Sequence, residues 1–134
     1  MANTLYNKAA EGFLQGTFNW NTNTLKVVPI DTSLYTFDPA HQFLSDIPAG
    51  TRVAISGNLA SKTSVDGSAD AADITLTAVS GASVEAIAIF KDTGTPSTSN
   101  LIYYADSGTN LPVTPNGGDI IIEWDNGANK IFKI

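Results

Sequence analysis

The sequence predicts a mainly β fold: a compact β-sandwich of about eight short strands, jelly-roll-like, with an N-terminal helix and one further short helix. Three observations point there. Short runs rich in Val, Ile, Thr and aromatic residues recur between turn-forming residues, as half-buried strands do. Only one segment carries a helical apolar stripe of any length. A 43% hydrophobic content in 134 residues without a cysteine leaves one packed core, with no disulfide framework, to supply stability. No repeat or composition break divides the chain, so residues 1–134 are read as a single domain.

The longer helix is expected over residues 5–15. Thr4 is placed to cap it, Leu5, Ala9 and Phe13 with Tyr6, Ala10 and Leu14 form the stripe, and Gly16 stops it. The stripe packs on the domain's own sheet or docks on a neighbouring subunit. A second, short helix is signalled over residues 38–44, with Asp38 as N-cap and Pro39 in the first helical position. Strands are expected at 25–30, 51–56, 60–65, 73–78, 84–91, 101–105, 119–124 and 130–134. The 84–91 strand is apolar on both faces over most of its length and therefore central, and Ile120, Ile121 and Ile122 give the same impression. Residues 119–124 and 130–134 flank Asp125-Asn126-Gly127-Ala128-Asn129, a loop that accepts positive φ, which predicts a hairpin.

Residue inventory excludes much chemistry. Seven Lys plus Arg against 13 Asp plus Glu give a net charge of −6, so a phosphate backbone is repelled and nucleic acid is not an expected partner. No apolar run approaches the length of a membrane span, and the first residues lack the features of a secretory signal, so a protein made in a cytoplasm is expected. His41 stands alone, without a G-x-S-x-G context or a cysteine, so a structural hydrogen bond suits its ring better than a triad. The acidic stretch 66–73 lacks the ligand order of an EF-hand and reads as a solvated turn. The glycines follow no dinucleotide or Walker pattern. No catalytic, cofactor-binding or metal-binding residue is therefore assigned, and the chain is expected not to be an enzyme.

Contact residues are the remaining candidates. Tyr103 and Tyr104 are adjacent in a strand and so face opposite sides, which brings one near the surface. The small, polar stretch 92–100, with Thr95 and Pro96, reads as an exposed loop. With Leu5, Tyr6 and Phe13 on the helical stripe, these residues make up the expected interface.

Three stretches carry a family likeness: Met1-Ala2-Asn3-Thr4-Leu5-Tyr6-Asn7-Lys8; Tyr35 through Asp38-Pro39-Ala40-His41 to Ile47; and Asp106 through Pro112-Val113-Thr114-Pro115-Asn116-Gly117-Gly118 to Phe132. They resemble small virion proteins of tailed bacteriophages. The resemblance implies a structural role at the virion's capsid surface: a decoration, or cement, protein that binds the major capsid protein and bridges its subunits. It would act as a homo-oligomer, a trimer or dimer matching local symmetry. The competing expectation is a tail-associated or fibre component that binds a host receptor or glycan. The resemblance assigns no catalytic residue.

Overall fold

The computed structural model describes residues 3–106, 111–124 and 130–134. In chain order its elements are β1 (Asn3–Leu5), helix α1 (Asn7–Leu14), β2 (Leu25–Ile30), β3 (Ser68–Ala69), β4 (Ile74–Leu76), β5 (Ala86–Lys91), β6 (Asn100–Ala105), β7 (Ile120–Ile122) and β8 (Phe132–Lys133). The fold is mainly β and antiparallel, as the sequence predicts. One four-stranded sheet runs β1-β6-β5-β2, and two ribbons pair β3 with β8 and β4 with β7. This order is compatible with the jelly-roll-like sandwich.

β5 is central because its composition permits nothing else: Ala86 to Phe90 are all buried, and only Lys91 reaches towards water. Its register slips between Ile89 and Phe90, where β6 passes beside it. β2 is an edge strand, which suits Pro29, since proline cannot donate to a ladder. The 51–59 segment covers that edge irregularly, with Val53 N–H on Pro29 C=O at 3.0 Å, Ser56 N–H on Val27 C=O at 2.9 Å and Leu59 N–H on Leu25 C=O at 2.8 Å. The strand expected at 51–56 thus runs alongside the sheet, but it forms only an isolated bridge, Arg52 to Ile30.

Five further expectations are corrected. Helix α1 begins at Asn7, because Thr4 pairs with Tyr104 in the sheet and so cannot cap; Tyr6 takes the N-cap position without a side-chain bond. Gly16, at φ 75°, follows its end as foreseen. No helix forms over 38–44. The Asp46 carboxylate takes the N–H groups of Gln42 (2.8 Å) and Phe43 (3.0 Å), while Gln42 C=O accepts from Leu101, and a single 3-10 turn follows at Leu44–Asp46. Residues 60–65 are not a strand; Thr63 bridges Asp70, and a 3-10 turn follows at Val65–Gly67. The carboxyl-terminal strands do not pair with each other. Ile122, Ile121 and Ile120 lie opposite Ile74, Thr75 and Leu76, whereas Phe132 and Lys133 lie opposite Ala69 and Ser68. The proposed hairpin loop, 125–129, lies outside the described residues. Nor is β7 apolar on both faces towards a core, for Ile121 points into solvent.

Sheet, helix and ribbons share one core. Trp20, Trp124, Ile131 and Phe132 from the ribbon side join Val27, Ile89, Leu101 and Tyr103 of the sheet in one buried cluster.

Candidate functional site

Where β1 meets α1, Tyr6 is fully buried, and its hydroxyl meets that of Tyr35 at 3.0 Å. Tyr35 in turn meets Nδ1 of His41 at 2.8 Å. Around this chain Phe37 stacks on Tyr104 with centroids 4.4 Å apart and lies edge-on to Tyr6 at 5.2 Å. Burial pushes the phenols of Tyr6 and Tyr35 upward, and that of Tyr104 up to about 12. They therefore stay neutral hydrogen-bonding groups in ordinary buffers. The His41 ring makes the hydrogen bond expected of it, with the Tyr35 hydroxyl. Among the described residues no serine hydroxyl bonds it.

The expected interface residues divide sharply. Tyr6, Tyr103 and Tyr104 are buried, so the idea that one of the adjacent tyrosines reaches the surface is overturned. Strand β6 is covered on both faces: Tyr103 stacks on Phe132 at 5.1 Å and Tyr104 on Phe37. Leu5 and Phe13 are half-buried against the core, while Thr95 and Pro96 are exposed. Their loop is well braced. Asp92 accepts the Gly94 N–H at 3.0 Å and pairs with Lys26 at 2.9 Å, both of which hold its carboxyl below the usual range. Thr93 and Thr98 hydroxyls meet at 2.6 Å, and Pro96 C=O accepts from Ser45 N–H.

The acidic stretch is engaged in folding. Asp73 accepts the Trp124 N–H at 2.9 Å, and the Asp70 carbonyl takes the Trp20 indole N–H at 3.0 Å. Among the described residues no three His, Asp or Glu side chains are grouped as metal ligands.

A different surface emerges. A cavity of about 290 Å³ is lined mainly by Phe13, Trp20, Ala69, Phe132 and Ile134, with Asn19 beside them. Ile134 is 64% exposed at this cavity, Val65 is 70% exposed between the lining residues Ser64 and Gly67, and Leu14 stands exposed next to Phe13. At a distance from these, Leu34 is 67% exposed on the turn that follows β2. Leu34, Val65 and Ile134 did not stand out as contact residues in the sequence, and Leu14 did so only as a member of the helical stripe. The available signals were weak: Leu34 follows the turn-forming Asp31-Thr32-Ser33, and Ile134 shares strand parity with Phe132.

No protein-family model matches this chain, and no curated protein is found to be similar to it. Fold and surface together define a mainly β domain that carries bulky apolar side chains into solvent beside a small aromatic cavity.

Proposed function

We propose that the chain is a structural binding domain of a phage virion, most simply a capsid decoration protein that bridges subunits of the major capsid protein and stabilises the shell. The observation that carries the binding reading is the surface. Leu14, Val65 and Ile134 are exposed on or beside residues that line the cavity, and a group of water-facing bulky apolar side chains marks contact with another macromolecule more than it marks chemistry. The virion setting rests on the resemblance. Two of its three stretches pack together: Asn7 N–H donates to Pro39 C=O at 2.9 Å, beside the Tyr6–Tyr35–His41 chain.

The size of the domain suits the task. A standard interface takes about 800 Å² from each partner, roughly an eighth of the 6787 Å² surface. Weak contacts suffice when many copies engage a repeating lattice together. The cytoplasm of the host is then where the chain is made, the capsid surface where it acts.

Quantitative mass spectrometry of purified virions tests this. Decoration requires a copy number comparable to that of the major capsid protein. A few copies per particle, confined to the tail, would replace it with receptor or glycan binding by a tail component.

A further inference from the structure

We propose that His41 is a proton-operated latch: as the neutral ring it holds the 35–41 loop over the start of helix α1, and as the imidazolium it lets go of Tyr35 and turns to the carboxylates beside it. The device lies apart from the exposed apolar groups and does not depend on what the chain binds.

Burial decides which way the hydroxyl protons point. Tyr6 is 0% exposed, and among the described residues its hydroxyl meets only that of Tyr35, so its proton goes there or is left unpaired in the core. With its oxygen accepting from Tyr6, the Tyr35 hydroxyl spends its own proton on His41 Nδ1, 2.8 Å away. Nδ1 is therefore the acceptor, and the ring proton sits on Nε2. An imidazolium carries a proton on both nitrogens. Three protons then compete for the two hydroxyl oxygens of the row. The contact that gives way is the outermost, because His41 is half-buried while Tyr6 and Tyr35 are buried.

The surroundings offer the released ring a second place. The Phe43 and Gln42 N–H groups hold the Asp46 carboxyl below the usual range, and a charge on His41 adds to that effect. The charges of Asp46 and Asp38 in turn add to the burial that raises the Tyr35 phenol. On the sheet side Tyr104 faces Tyr35, with ring centroids 6.2 Å apart, and Asp106 acts on Tyr104. Among the described residues neither Asp38 nor Asp46 forms an ion pair with a lysine or arginine, so no cation offsets their pull on an imidazolium.

The latch closes a small loop. Within it Ala40 N–H meets Asp38 Oδ1 at 2.8 Å, and His41 N–H meets Asp38 C=O at 3.0 Å. Between these residues Pro39 C=O accepts at 2.9 Å from the N–H of Asn7, the first residue of α1. Release of Tyr35 frees the loop that presents this carbonyl, so the Asn7 amide reports the state of the latch.

Nuclear magnetic resonance of the full chain tests this at about pH 8 and about pH 5.5, on either side of the ordinary imidazole value of about 6.5 and above that of carboxyls. At the upper pH, ring nitrogen shifts should show His41 with Nδ1 bare and Nε2 protonated. At the lower pH, the Asn7 amide should exchange at least about tenfold faster after correction for intrinsic rates, while β5 amides keep their protection. His41→Gln keeps an oxygen that accepts from Tyr35 but takes up no proton, so the corrected Asn7 exchange should become independent of pH. Tyr35→Phe has no latch to release. Its Asn7 amide should exchange at the upper pH as fast as the wild type does at the lower. A ring protonated on Nδ1 at the upper pH, equal Asn7 protection at both, or wild-type pH dependence in both variants would overturn the proposal.

Discussion

The four-stranded sheet and the two ribbons are held together by different means. In the sheet, β5 and β6 are paired on both sides, and the residues between their ends are buried, so ladder bonds and packing reinforce one another. The ribbons are two or three residues long, and side chains clamp them in place: Trp20 and Trp124 donate their indole N–H groups to the carbonyls of Asp70 and Ala72, and Asp73 holds the Trp124 backbone. The sheet is a scaffold. The ribbon side carries Val65, Ile121 and Ile134, so half of the exposed bulky apolar groups among the described residues sit where the backbone ladder is shortest.

This difference predicts a graded response to mutation. Ile89→Ala, in the middle of β5, should cost the most, about 2–5 kcal/mol, and lower the denaturant midpoint of the whole domain. Tyr35→Phe comes next, at about 1–3 kcal/mol, because it leaves the fully buried Tyr6 hydroxyl without its partner. Equilibrium unfolding in urea checks both. Trp124→Phe removes one indole bond and some packing, so about 1–2 kcal/mol is expected. Its effect should be local: hydrogen exchange should speed up in β4 and β7 while β5 amides keep their protection. Equal acceleration in both regions would show that ribbons and sheet unfold as one unit.

The smallest effect tests a clamp at the sheet's end. The N–H groups of Phe43 and Gln42 hold the Asp46 carboxyl below the usual range. A carboxyl depressed in the folded state lends stability above its unfolded value of about 4, and that stability is lost as pH falls through the folded value. Asp46→Asn should therefore lower stability modestly at neutral pH and leave it close to wild type in acid, which flattens the acid limb of a stability profile below about pH 5. An unchanged acid limb would mean that the clamp does not contribute through charge.

The same division explains what the sequence made legible. β2, β5 and β6 are visible because their apolar runs are long enough to dominate local signals, and β5 was legible as a central strand from its two apolar faces. The ribbons were not, since a strand of two or three residues is chosen by its partners. Phe132 goes to Trp20 and Tyr103, and that aromatic packing outweighs the turn chemistry that suggested a hairpin with β7. Asp38-Pro39 reads as a helix start, yet the acceptor that decides the segment is Asp46, eight residues on. Tyr103 and Tyr104 do alternate as strand residues should, but alternation says nothing of a second layer that buries both. The hydrogen bond expected of the lone histidine is present, from Nδ1 to the Tyr35 hydroxyl, but its partner six residues away could not be named from the sequence.

A decoration role requires that this surface bind a viral shell. Its most direct test is to add purified chain back to shells that lack it and follow their disruption on heating by light scattering. The account predicts saturable binding and a higher disruption temperature than for bare shells. Shells that bind none of the chain, or bind it without gaining heat resistance, would contradict it.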